Sequence, residues 1–379
     1  MMPHTTTDSP LQLHARLANG HMVDARVAST RPHAAQLLIG RSPAEAVAMV
    51  PRLFALCSHA QGTAARLACD AALGAVAPDA VEALAIERQL AAEAAQEHLW
   101  RLLLDWPALF GIEARRNRYA ELHRRLSRPQ EADAAYTLGG DLLDLVAREL
   151  LAGFFRHNRE PRTLAEFVDR ADSGGDLGSV LARMIKLGAA EPPATGPTPL
   201  LPLRDARAWA KTLGDVPDLA FCRTPSFDGM AAETGPLARH QSSPLVAMLV
   251  QRGHRISARL MAKVIDLADC GSRLRSPLAP EVPALADACP IAPGCGLARV
   301  ETARGLLLHV VRIEAGTISD YAICAPTEWN FHPTGSFVRE GMGWTCADAD
   351  TARLRLHALI LALDPCVGWA LHVEEADHA

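Results

Sequence analysis

No C-x-x-C pair occurs among the nine cysteines of this 379-residue chain, so a structural zinc site of the usual ligand spacing is not expected. The cysteine count is odd, which argues against a disulfide framework; most of these thiols should be small buried hydrophobes. A basic excess is missing as well. The net charge is -5 and the sequence pI about 6.3, which excludes the electrostatic footprint of a nucleic-acid binder. Arg115–Arg116 and Arg124–Arg125 read as solvated helix faces. The first ten residues are polar, without the apolar core of a secretory signal or a twin-arginine pattern, so a cytoplasmic location is expected. No apolar run reaches membrane-spanning length; Leu356 to Leu363 is far too short. Aromatic residues make up only 5%.

What is abundant is alanine and leucine, both strong helix formers. Hydrophobic residues reach 49% against 21% charged, enough for a sizeable core. Residues 11–30 alternate apolar and polar side chains about Asn19-Gly20, the strongest short-range hairpin signal. Ser42-Pro43 opens a helix running toward Leu56. Residues 58–75 have helical periodicity. Residues 79–106 predict one long helix with Asp79 as cap and Pro107 as stop. Further helices are expected near 137–156, 163–171, 178–187, 204–213, 243–268 and 349–363. Residues 187–203 carry five prolines and two glycines and read as a linker or surface excursion. Residues 271–296 read as irregular, and 297–325 as strands. Sheet at both chain ends with helices between predicts a single α+β unit over residues 1–379, predominantly helical.

Two cysteines sit just past apolar helices. Cys57 ends Arg52-Leu53-Phe54-Ala55-Leu56-Cys57, and Cys366 ends Asp364-Pro365-Cys366, with His372 six residues on. Each alone is best read as a buried thiol at a helix stop. Together they resemble the two metal-binding signatures of nickel–iron hydrogenase large subunits, R-[IV]-C-G-[VI]-C-x-x-x-H and D-P-C-x-x-C-x-x-H. Arg52 and Cys57 match the first; Asp364, Pro365, Cys366 and His372 match the second. Gly40-Arg41-Ser42-Pro43 resembles G-R-D-P. Gly235-Pro236-Leu237-Ala238-Arg239 resembles G-P-L-A-R, and Glu301 to Gly305 with His309 resembles E-A-P-R-G-x-L-x-H. Pro326-Thr327-Glu328-Trp329-Asn330 with Pro333 resembles P-T-T-W-N-x-x-P, and His98 with Asp105-Trp106 resembles H-F-Y-x-L-x-x-L-D-W with a slipped register. The blocks run in family order over nearly the whole chain and imply a hydrogenase large-subunit-like fold.

The departures are specific. Phe54 and Trp369 stand where two of the four metal-holding cysteines would be, and Gln61 replaces the first motif's histidine, with His59 nearby. The family's proton-transferring glutamate has no counterpart before Glu45. By family position Cys57 is a former bridging ligand and Cys366 a former terminal nickel ligand. Two thiolates do not hold the binuclear centre in its usual geometry, so no catalysis and no complete Ni–Fe centre are expected. This pattern resembles the HupK/HoxV-type accessory proteins of hydrogenase maturation. The resemblance implies transient carriage or assembly of an iron unit, Fe(CN)2(CO), on Cys57 and Cys366, followed by handover to the immature large subunit; thiolates suit such soft metal centres. It places Arg304 and Asp364 around the diatomic ligands, with Arg304 donating to a cyanide or pairing with Asp364, and His59 and His372 in a supporting shell. Implied partners are a HypC-like chaperone and HypD. The alternative is a metal-free mimic of the large subunit that occupies its assembly factors. Cys289 and Cys295, flanking a Pro/Gly-rich loop, could add a ligand; a structural role is the simpler reading.

Overall fold

The computed structural model describes residues 9–375, apart from 129, 158, 192–195, 277–278 and 280. The extreme N-terminus, the end of the acidic tail and the Pro192-Pro193 part of the 187–203 segment therefore lie outside the described residues.

The expected hairpin forms. Strands β1 (Leu11–Ala18) and β2 (His21–Ser29) pair antiparallel. Asn19 and Gly20 both have positive φ (50° and 75°), the backbone of a tight two-residue hairpin turn. Leu11, Leu13, Ala15 and Leu17 alternate inward. A third strand, β7 (Trp369–Glu375), pairs parallel with β1, Leu11 opposite Trp369. The two ends of the chain thus share one sheet, which holds the Cys366 segment in place from its C-terminal side.

A second sheet is a four-stranded antiparallel meander: β3 (Ala286–Ala292), β4 (Cys295–Thr302), β5 (Gly305–Glu314) and β6 (Thr317–Cys324). β3 lies in the segment expected to be irregular. Its Pro290 is tolerated because β3 is an edge strand, where a missing N–H costs no ladder bond. Cys289 and Cys295 are buried in a small cluster with Trp209 and Trp329.

Helices flank these sheets. α1 (Pro43–Leu53) starts with a reciprocal Ser42–Glu45 capping box. α2 (Ser58–Leu73) presses an alanine-lined face on β4 so closely that a Cβ on Gly296 would lie 2.2 Å from the Ala68 carbonyl oxygen. In α3 (Ala80–Trp100) the Asp79 carboxylate accepts from the Val81 and Glu82 amides. Pro107 does not stop this helix. A π-helical turn, Arg101–Asp105, follows α3 and leads into Trp106–Leu109 with Pro107 in its first turn, where the lost N–H is harmless. The single helix expected over 243–268 is two, Pro244–Gln251 and Arg255–Arg275, parted at Gly253. The linker reading of 187–203 fails at its C-terminal half. Thr198 and Leu201 are buried, and Leu201 and Pro199 exchange backbone hydrogen bonds with Glu233.

The helix Arg255–Arg275 is buried along most of its length. Arg255, Arg259 and Lys263 are four residues apart, hence on one face. Each meets acid: Arg255 reaches Glu340 at 2.9 Å, Arg259 reaches Glu233 at 2.7 Å, and Lys263 reaches Asp364 at 2.6 Å. Buried charge without such partners would cost several kcal/mol per group.

Two fully buried histidines make the fold acid-sensitive. Burial lowers His98 to about 4 and His309 to about 3 from the ordinary 6.5. Below pH 6.5 the unfolded chain binds protons that the folded chain refuses, so these groups make stability fall as pH falls from 6.5 toward 4. Denaturant midpoints measured across that range should drop steadily, and His309→Gln should flatten part of the slope; a pH-independent midpoint would refute the assignment.

Candidate metal-carrier site

Cys57 lies at the end of a single 3-10 turn, Ala55–Cys57, between α1 and α2. Cys366 lies in the loop between the helix Ala349–Leu363 and β7. Asp364 caps that helix in the left-handed conformation, φ 57°, its N–H bonded to the Ile360 carbonyl, and Pro365 prevents continuation. The fold brings these distant segments together: Cys57 and Cys366 interact electrostatically with one another, and Arg304 with both.

Burial pushes the Cys57 thiol up to about 12, with Cys366 and Glu93 adding to the rise; Arg304 and a hydrogen bond from Gln61 act the other way. The Cys366 sulfur is 3.1 Å from the Thr327 hydroxyl, which also accepts from the Cys366 N–H at 3.2 Å.

Gln61, where the resembled motif has histidine, holds a relay. Its Oε1 is 2.9 Å from His309 Nε2, and His309 Nδ1 is 2.8 Å from the Tyr321 hydroxyl. With Nε2–H donating to Gln61, Nδ1 accepts from Tyr321, and the Gln61 amide NH2 is free to donate to the Cys57 sulfur.

Asp364 is the electrostatic centre. Arg101 Nε is 2.7 Å from its Oδ1, Lys263 Nζ 2.6 Å from its Oδ2, and Arg304 Nε 3.4 Å from Oδ1. Burial alone would raise this carboxyl; the three cations hold it far below the usual range. Arg304 also bonds Glu97 at 2.6 Å through Nη2, while its buried Nε makes no hydrogen bond of good geometry. Arg304 and Asp364 are therefore ion-paired, with the Arg304 Nε facing Asp364 Oδ1.

The motif blocks stitch to one another here. Asn330 Oδ1 accepts from the Thr234 N–H, and its Nδ2 donates to the Arg304 and Leu363 carbonyls. Gly305 (φ 124°) packs backbone to backbone on Gly235 (φ 106°); a Cβ on Gly305 would lie 2.5 Å from the Gly235 nitrogen. Arg239 grips Asp266 at 2.9 and 2.7 Å and Glu301 at 2.8 Å, and His98 joins Asp266 at 2.7 Å.

Among the described residues, neither expected supporting histidine hydrogen-bonds to Cys57, Cys366, Arg304 or Asp364. His372 lies on β7, its ring stacked 4.7 Å from His14 and bonded to Gln12, so its partners belong to the terminal sheet. The His59 backbone N–H binds Glu93, and its imidazole has no hydrogen-bond partner among the described residues. Trp369 packs against His357, and Phe54 lies beneath the Arg31 guanidinium.

Several groups escaped the sequence reading. Glu93 is a buried carboxyl beside Cys57, raised to about 7 by burial although the Ala60 and His59 amides bond it. Arg31 pairs with Glu328 at 3.0 Å and interacts with both cysteines. Arg101, Lys263 and Thr327 were missed as well. The one available signal was Glu93 and Glu97 at i, i+4 on an alanine-rich helix, an acidic pair on a face that must be buried.

Asp364→Asn would take from Lys263 its acidic partner and from Arg101 and Arg304 one of two, leaving them Asp105 and Glu97. We expect a loss of about 3–5 kcal/mol in unfolding free energy by chemical denaturation, the cost typical of breaking a buried pair; a change below ~1 kcal/mol would show that the cations are solvated instead.

The nickel-dependent hydrogenase family model matches residues 281–372, from the approach to β3 through most of β7. The hydrogenase expression/formation protein HoxV of Cupriavidus necator is 33% identical over 92% of this chain and 93% of its own length. HupK of Azotobacter vinelandii is 31% identical over 97% of this chain and 99% of its own. Among solved structures, the Ni-Fe-Se hydrogenase of Desulfovibrio vulgaris Hildenborough superposes with a TM-score of 0.62 at 19% identity, covering 93% of this chain and 95% of that one, a likeness of fold. The α+β, predominantly helical architecture is thus that of a hydrogenase large subunit, and the chain belongs to the HoxV/HupK family of hydrogenase expression/formation proteins.

Proposed function

We propose that this protein is an accessory scaffold of [NiFe] hydrogenase maturation. It carries or assembles the Fe(CN)2(CO) unit on Cys57 and Cys366 and passes it to the immature large subunit. The observation that carries this reading is that two thiols from opposite ends of the chain interact electrostatically with one another and with Arg304. The iron unit is cargo here, not a resident cofactor. The donor set suits it: two soft sulfurs for iron, and beside them the Arg304 guanidinium, a cationic donor for the anionic end of a cyanide. Asp364 and Glu97 fix the Arg304 plane, so that donor is held in place before cargo arrives.

The role is accessory rather than catalytic. Two thiolates give fewer bonds than the four of a binuclear centre, which favours release over retention. A HypC-like chaperone and HypD would be the donors, and the large subunit the acceptor. The two relatives named above, both hydrogenase expression/formation proteins, support a role in hydrogenase maturation.

Infrared spectra of anaerobically purified protein should contain cyanide and carbonyl stretches. Cys57→Ala and Cys366→Ala should each abolish them and reduce hydrogenase maturation at least tenfold. Maturation that survives both substitutions would instead identify a metal-free mimic of the large subunit.

Because the Cys57 thiol is pushed up to about 12, it enters binding protonated. Metal capture must displace that proton, so affinity should rise about tenfold per pH unit between pH 6 and 9. Titration with a soft divalent ion such as cadmium, followed by thiolate absorbance, reads the slope. A flat profile would mean that Cys57 is not a ligand.

A further inference from the structure

A second thiol pair lies outside the carrier site. Cys222 is in the short helix Leu219–Arg223, whose Asp218 carboxylate accepts from the Phe221 N–H. Cys324 is the last residue of β6, on which that helix packs. Both belong to the smaller core cluster around Trp209 and Trp329, and the two sulfurs are hydrogen-bonded to each other. Neither is in a disulfide.

The two differ in access and in chemistry. Cys222 lines a groove whose walls include Arg31, Pro32, Phe54, Ala325 and Glu328. Cys324 is 1% exposed, against 6% for Cys222, and does not line the groove. The Cys324 thiol and the Ile323 N–H both donate to the Cys222 sulfur, which lowers the Cys222 thiol below its ordinary value and leaves Cys324 raised well above it. A thiol that receives hydrogen bonds, reaches a groove and has a protonated neighbour is set up as an attacking sulfur, with the neighbour as resolving sulfur.

We infer that Cys222 and Cys324 form an exchange-active dithiol that reacts with small-molecule disulfides such as oxidised glutathione. The Cys222 thiolate attacks one sulfur of the disulfide, forming a mixed disulfide and releasing one small thiolate, which takes a proton. Cys324 then loses its proton to water, attacks the Cys222 sulfur and expels the second small thiolate. The protein dithiol loses two electrons and two protons, and one small disulfide becomes two thiols. The resulting bond ties the Leu219–Arg223 helix to the end of β6, three residues before Thr327, whose hydroxyl holds Cys366. The oxidation state of this pair therefore bears on the groove wall beside the carrier cysteines, whether or not those cysteines carry iron.

The test uses the full-length reduced protein, without cargo, incubated anaerobically with oxidised glutathione, then alkylated and mapped by peptide mass. The wild type should lose two of its nine free thiols and yield a Cys222–Cys324 linked peptide. Cys324→Ser should stop at one glutathione on Cys222, and Cys222→Ser should leave Cys324 unmodified. The inference is overturned if the wild type, still folded by circular dichroism, gives no such peptide, if Cys57–Cys366 links first, or if Cys324 reacts as fast in Cys222→Ser. The wild-type map decides even if a variant fails to fold.

Discussion

The Asp364 carboxylate is the constraint on which the rest of the site depends. It is buried at the end of a helix, in a backbone conformation that few residues other than glycine adopt. It is contacted by Arg101 from the π-helical turn after α3, Lys263 from the long central helix and Arg304 from the β4–β5 turn. Remove that carboxylate and three cations from three elements repel one another in a low-dielectric interior. Present, it binds them into one unit and sets the residue two positions on, Cys366, at a defined place.

The remaining motif blocks are arranged around that unit as a scaffold of buried polar contacts. Asn330 joins the Thr234, Arg304 and Leu363 backbones; Arg239 joins Asp266 and Glu301; Gly235 and Gly305 permit the closest backbone approach. Such networks are costly unless complete, and here nearly every group is partnered. Well-packed apolar residues would stabilise the fold as well or better, so these buried charges are not explained by stability alone. The retained network is what a preorganised site requires.

Much of this was legible in the sequence. The Asn19-Gly20 hairpin, the Ser42–Glu45 box and the Asp79 cap follow from local chemistry, because each acts within a few residues. The Arg304–Asp364 ion pair followed from likeness of motifs. Misreadings arose where tertiary context overrode local rules. Pro107 could not stop a helix that a π-helical turn had already reset, and Pro290 could not prevent a strand that needed no bond from its nitrogen. His372 fits its motif, yet strand pairing with β1 turns it toward His14 and Gln12.

The sequence by itself determined which motif positions hold a thiol, Cys57 and Cys366, and which hold Phe54 and Trp369, since composition at a motif position needs no coordinates. Only the tertiary structure decided what surrounds those thiols. Arg101, Lys263, Glu93, Arg31 and Gln61 reach the site from separate elements, and the contacts that set their charge act through space rather than along the chain. The same holds for Cys222 and Cys324, a hundred residues apart, whose shared hydrogen bond exists only because a short helix packs on the end of β6.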